Sequence, residues 1–164
     1  MPIRPWTETD LPVLQRLNEA AVPAVNSLST GDLRDLLASA LIADVIEDEG
    51  TVAGFVLCLS EGTDYDSPNY RWFDNRYARF AYVDRVVVDS ASRGRGLGGR
   101  LYDALEAKLI GLRPRLGCEV NEVPPNRASM RFHTRRGFTV IGRQATEGGQ
   151  KQVALLVKPM ETPA

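Results

Sequence analysis

Apolar positions in the first forty residues recur every three or four places. In "TDLPVLQRLNEAA" Val13, Leu14, Leu17 and Ala21 share one face, Asp10 can cap and Pro12 suits the first turn, so the pattern predicts a helix that Pro23 interrupts. A second helix is predicted over 29–41, with Ser29 or Thr30 as cap and Leu33, Leu36, Leu37 and Ala40 inward. Residues 2–6 suit a short first strand. The arms 41–47 and 51–60 then read as a hairpin across Asp48-Glu49-Gly50. Residues 61–79 are polar yet hold Tyr65, Tyr70, Trp72, Phe73 and Tyr77, and are expected to form a long loop, either functional or an oligomer contact. Next come the strongest strand, 80–89, and a helix over 96–112 with Leu97, Leu101, Ala104, Leu105 and Leu109 on one side. "LGCEVNEV" reads as a further strand, and a helix follows from Asn126 to a stop at Gly137. Phe138 to Arg143 and Gln152 to Val157 are the last two strands, with Gly148-Gly149 between them.

Composition adds bounds. At 164 residues with no repeat or linker, one domain over 1–164 is expected, and 43% hydrophobic and 25% charged residues are ordinary for a globular chain. A net charge of −1 argues against broad nucleic-acid or membrane-surface binding. Basic residues instead gather around 93–100 and 127–136. Cys58 and Cys118 sit in apolar runs and read as buried thiols rather than a disulfide or a nucleophile. Two cysteines and one histidine without Cys-x-x-Cys spacing argue against a metal site. The N-terminus lacks the apolar core of a signal peptide and no run is long enough to span a bilayer, so a cytoplasmic location is the default expectation.

The chemistry concentrates at "SRGRGLGGRL", residues 92–101, where the strongest strand feeds a helix. The first N–H groups of a helix lack partners within it and form an anion site. Glycines clear side chains from that site, and Arg93, Arg95 and Arg100 add positive charge beside it. The joint therefore suits a di- or polyphosphate, against the alternative of a packing turn with solvated arginines. It is not a P-loop, since Arg100 and Leu101 follow the last glycines where Lys-Ser/Thr would stand. Nor does it sit after a first strand, as a Rossmann fingerprint would.

Arg93-Gly94-Arg95-Gly96-Leu97-Gly98 resembles the (Gln/Arg)-x-x-Gly-x-(Gly/Ala) signature of the GCN5-related N-acetyltransferases, the GNAT superfamily. "YVDRVVVD" resembles the strand before that signature, and "NRASMRFHTRRGF" is similar to the later segment Asn-x-x-Ala-x-x-Leu-Tyr-x-x-x-Gly-Phe. The resemblance covers about 80–143. It implies an α/β (α+β) fold, a mixed, mostly antiparallel sheet of six to seven strands flanked by helices, with acetyl-CoA as co-substrate between two splayed parallel strands, 80–89 and 116–122. It also implies that the main chain of Val86, Val87 and Val88 bonds the pantetheine arm, that the N–H groups of Arg93, Gly94, Arg95, Gly96, Leu97, Gly98 and Gly99 hold the diphosphate, and that Asn126 contacts the pantetheine.

Acetyl transfer to an amine needs a base, a polarised thioester carbonyl and a proton for the leaving thiolate. Candidate bases are Asp84 and Glu119, each standing where relatives carry a functional carboxylate; the alternative is that either pairs with an arginine such as Arg85 or Arg127. His133, at the position of the family's tyrosine, is the candidate acid, and its departure from tyrosine implies a different pH dependence. The acceptor, a small amine or peptide, is expected to be contacted by the 61–79 loop, whose aromatic and acidic residues suit a cationic amine; a lid or a homodimer contact is the other use of that loop. A non-catalytic acyl-CoA sensor is the alternative to an enzyme.

Overall fold

The structure, a computed structural model, describes residues 1–160. In chain order its main elements are β1 (Ile3–Pro5), α1 (Leu11–Ala20), α2 (Thr30–Ser39), β2 (Ile42–Asp48), β3 (Thr51–Ser60), α3 (Pro68–Arg76), β4 (Ala81–Val88), α4 (Leu97–Leu109), β5 (Arg115–Val123), α5 (Arg127–Arg135), β6 (Thr139–Thr146) and β7 (Lys151–Pro159). The strands form one seven-stranded sheet in the order β1-β2-β3-β4-β5-β7-β6. Pairing is antiparallel for β1/β2, β2/β3, β5/β7 and β6/β7, and parallel for β4/β5, where Ala81 faces Leu116 and Tyr82 faces Gly117. This is the mixed, mostly antiparallel α/β architecture that the family resemblance implies.

The chain forms two compact units, Met1–Leu59 with Val83–Lys108 and Ser60–Tyr82 with Leu109–Ala164. In the first, the leucines of the predicted inward stripes are buried, Leu14 and Leu17 of α1 and Leu33, Leu36 and Leu37 of α2, while Val13, Ala21 and Ala40 are only half-buried. Ser29 is the α2 cap, its hydroxyl accepting the Asp32 N–H at 3.1 Å. Asp10 does something else. Its carboxylate accepts the Thr7 N–H and two hydrogen bonds from Arg4, at 2.8, 2.8 and 2.9 Å, and so fastens β1 to the start of α1. The Arg4 bonds hold its carboxyl below the ordinary range against the opposing effect of burial. The hairpin turns through Glu49 and Gly50, both at positive φ, the geometry a two-residue hairpin loop requires.

The second unit holds the main departure from expectation. Residues 68–76 are a helix, not a loop. Ser67 caps it, its hydroxyl accepting the Tyr70 N–H at 3.3 Å, and Pro68 occupies the first turn. Tyr70 and Phe73 are 1% and 0% exposed and pack with Phe80 and Tyr82 at ring separations of 5.4–6.1 Å. Two glycines seat the helix on the sheet. A Cβ at Gly117 of β5 would stand 2.5 Å from the Phe73 ring, and one at Gly142 of β6 would stand 2.6 Å from the Trp72 ring.

Candidate functional site

In the first unit, β4 leads into the glycine joint. Asp89 ends the strand, its N–H donating to the Ala53 carbonyl at 2.7 Å and its carboxylate accepting the Ala91 N–H at 3.1 Å. The Val87 carbonyl lies against β3, where a Cβ at Gly54 would be 2.8 Å from it. Alternation along the strand turns the main-chain groups of Val86 and Val88 the other way. Of the three valines expected to meet a pantetheine, Val87 is therefore the one whose carbonyl faces the sheet.

Beyond Arg93, Gly94 and Gly96 adopt φ of +80° and +74°, which a side chain would strain. Leu97 is buried and anchors the start of α4. The Arg100 N–H donates to the Gly96 carbonyl at 3.1 Å, so the N–H groups of Leu97, Gly98 and Gly99 precede the first helical bond. A Cβ at Gly94, Gly96, Gly98 or Gly99 would meet nothing within 4 Å. A surface of main-chain N–H groups, cleared of side chains and at a helix N-terminus, fits a diphosphate. Arg95 pairs with Asp48 at the end of β2, which ties the joint to the hairpin. Arg93 and Arg100 are exposed.

Asp84 follows the alternative given for it. Its carboxylate accepts from Arg85 Nε at 2.7 Å, and both side chains are buried. The Arg85 guanidinium also donates to Asn18 Oδ1 at 2.8 Å and Asn26 Oδ1 at 2.6 Å. This network fastens the α1–α2 connection to β4, with Asp84 as the carboxylate partner of the buried Arg85 guanidinium.

In the second unit, the Tyr82 hydroxyl donates to Glu119 Oε2. Tyr82 lies fully buried on β4 and Glu119 half-buried on β5. The pairing follows from the parallel register, since Tyr82 faces Gly117 and Glu119 stands two residues on, on the same face. Sequence reasoning named Glu119 but missed Tyr82 as its donor. Next to it, burial and the Glu119 charge push the Cys118 thiol well up, so it is not a nucleophile. Cys58 and Cys118 are both buried free thiols.

Asn126 caps α5, its side-chain oxygen accepting the Ser129 N–H at 3.1 Å. His133, one helical turn after Ser129, is 8% exposed. Its Nδ1 lies 2.8 Å from the Ser129 carbonyl, which can only accept, so Nδ1 carries the proton. Phe132 and Phe138 pack edge-on against the ring, each at 5.2 Å. Desolvation lowers its pKa, the Ser129 carbonyl opposes this, and Arg136 adds to it. The lowered pKa favours the neutral ring over the imidazolium expected as the acid.

The aromatics of 61–79 also differ from expectation. Tyr70 is core, its hydroxyl donating to the Ser60 carbonyl at 2.7 Å and accepting the Thr63 N–H at 2.8 Å. Trp72 is half-buried and carries the Arg76 guanidinium 5.0 Å from its ring centre. Among the described residues no cluster of His, Cys, Asp and Glu could hold a metal, and no helix is long and apolar enough to cross a membrane.

Comparison with known proteins agrees with this architecture. The fold is similar to that of the ribosomal-protein-S18-alanine N-acetyltransferase from Escherichia coli, at 17% identity and a TM-score of 0.76, covering 99% of this chain and 96% of that one. It is similar to a ribosomal-protein-alanine N-acetyltransferase from Brucella melitensis, at 22% identity and a TM-score of 0.75, covering 97% and 99%. It also resembles Naa50 from Arabidopsis thaliana in complex with the bisubstrate analogue CoA-Ac-MVNAL, at 15% identity and a TM-score of 0.71, covering 96% and 97%. No curated protein sequence matches the chain. The profile of the acetyltransferase (GNAT) family matches residues 10–138, well over half of the sequence, and the chain belongs to that family.

Proposed function

We propose that this protein moves an acetyl group from acetyl-CoA to a primary amine, and that the amine is the N-terminus of a peptide. The observation that carries the reading is the Tyr82–Glu119 pair, a carboxylate held by a buried phenol on the face of β5. Family membership supports acetyl-CoA as the donor. The peptide acceptor draws support from the fold neighbours that act on ribosomal proteins or bind a CoA–peptide analogue.

The main-chain N–H groups of 94–99 would hold the diphosphate, the Arg93 N–H donating to the Ser90 carbonyl at 3.4 Å, and the main chain of Val86 and Val88 the pantetheine arm. When bound, acetyl-CoA supplies an activated acyl group as a thioester. The Tyr82 hydroxyl fixes Glu119 Oε2, so the carboxylate is oriented before an amine arrives. Glu119 takes the proton that an incoming ammonium must lose before its nitrogen can attack, a contribution of about 10²–10⁴ in rate for a positioned base. Asp84 stays with Arg85 and holds the strand. His133 stands on α5 with its ring against Phe132 and Phe138, where burial favours its neutral form.

A sensor that binds acyl-CoA without turnover is the rival reading, favoured by the neutral His133 at the family's tyrosine position. Incubation with acetyl-CoA and a panel of peptides and small amines, read by thiol release and mass spectrometry, separates the two. An acetylated N-terminus that is lost in Glu119→Gln supports the enzyme. Tight CoA binding with no acetylated product from any amine supports the sensor.

A further inference from the structure

The sheet face that carries Glu119 also carries a basic cavity. Glu119 lies opposite Leu155, which lies opposite Gly142; Asn121 lies opposite Val153, which lies opposite Gln144. Residues opposite one another in antiparallel strands share a face. Glu119, Asn121, Gly142 and Gln144 therefore stand on one side of the sheet, in two neighbouring rows. α3 lies on that side, with Phe73 over Gly117 and Trp72 over Gly142. Near its N-terminal end Asn69 accepts from Gln144 at 3.1 Å, and beyond its C-terminal end Tyr77 packs under Arg115 at 4.3 Å. The helix thus starts at the Asn121–Gln144 row and runs away from it.

Beside that start is a cavity of about 540 Å³ lined by Pro68, Arg71, Trp72, Asn75, Arg76 and Gln144. Its two charged lining residues are both arginines. Arg76 is stacked on Trp72, which is itself seated where only a glycine fits. Arg71 is paired with Asp66 at 3.0 Å, but the two side chains are 60% and 97% exposed, and so open a contact yields readily to another anion. Two strand spacings separate Glu119 and Asn121 on β5 from Gly142 and Gln144 on β6, about 10 Å, a span of roughly three extended residues. Both arginines line this one cavity, and guanidinium groups suit a carboxylate.

We propose that the acceptor is a peptide with an acidic third residue, whose carboxylate is taken by Arg71 and Arg76 while its amine lies at Glu119. The proposal rests on the acetyl-transfer reading above and reverses the charge expected of the 61–79 segment, which on its aromatics and acids suits a cation.

The test compares the tetrapeptide amides Ala-Ala-Asp-Ala, Ala-Ala-Asn-Ala and Ala-Ala-Lys-Ala. Steady-state acetylation and, separately, calorimetric binding in the presence of CoA are measured for the wild type, Arg71→Ala and Arg76→Glu. The expected result is a KM about ten-fold lower for the Asp peptide than for the Asn peptide at equal kcat, a smaller gap in Arg71→Ala, and a preference for the Lys peptide in Arg76→Glu. Thermal melting curves that match the wild type show that the variants are folded. Acetylation of all three peptides with one KM overturns the acidic-peptide site and leaves acetyl transfer standing. Tighter binding of the Asp peptide, lost in Arg76→Glu but with no acetylation, upholds the site and removes acetyl transfer. No binding and no acetylation overturns both.

Discussion

Gly98→Glu should make the protein more stable and nearly unable to bind CoA. Gly98 is in the first turn of α4, and a Cβ there meets nothing within 4 Å, so the fold has room for the side chain. Replacing glycine by glutamate in a helix gains about 0.6 kcal/mol from propensity, and a negative charge in the first turn adds about 0.5 kcal/mol from the helix dipole. Together these raise the melting temperature by about 2–4 °C for a chain of this size. A bound diphosphate would feel the opposite. At roughly 6 Å and an effective dielectric of about 40, each unit charge is repelled by about 1.4 kcal/mol. Two charges give about 3 kcal/mol, a loss of about a hundred-fold in affinity. Gly98→Gln has nearly the same size without the charge and isolates that effect. Differential scanning calorimetry and isothermal titration with CoA read both quantities. If the Glu and Gln variants bind CoA equally well, the diphosphate does not lie at this helix start.

Three further outcomes follow from the geometry. Glu119→Gln should lower kcat by about 10²–10⁴ with the acetyl-CoA Kd unchanged, and Tyr82→Phe should lower kcat less, by freeing the carboxylate it orients; unchanged kcat in Glu119→Gln would move the base elsewhere. Gly117→Ala should destabilise by about 1–3 kcal/mol, because the Phe73 ring at 2.5 Å is wholly buried, whereas Gly142→Ala should be milder, since the half-buried Trp72 can swing; chemical denaturation midpoints rank the two. His133 is the chain's one histidine, and its pKa is lowered below its ordinary 6.5. As pH falls through 6.5 the unfolded chain takes up a proton that the native ring resists, so stability drops with acidification. His133→Gln should flatten the melting temperature between about pH 7.5 and about pH 5.5, and a slope equal to that of the wild type would contradict the burial argument.

The regular helices and strands were legible wherever one face of an element is apolar, as in α1, α2 and α4, because periodicity reports burial directly. α3 was not, because its inward residues are few and large while its remaining positions are polar. The Ser67-Pro68 start was nonetheless a capping signature in plain view. Its aromatics suggested a ligand surface, but Tyr70 and Phe73 are themselves buried. The glycine joint could be read as an anion site because its chemistry is local and main-chain. The Tyr82–Glu119 pair could not, since it depends on the register of two parallel strands far apart in sequence. Asp84 divides the same way: its charge was legible, and its pairing with Arg85, its own neighbour, shows only in side-chain placement.

The central claim is that the main-chain N–H groups of residues 94–99 grip the diphosphate of coenzyme A. Titrating ¹⁵N-labelled protein with CoA and, in parallel, with pantetheine, which lacks the diphosphate, tests it most directly. The amide resonances of Gly94, Gly96, Gly98 and Gly99 should shift and saturate with CoA and stay in place with pantetheine. Saturable CoA binding that leaves those four resonances unmoved would contradict the account.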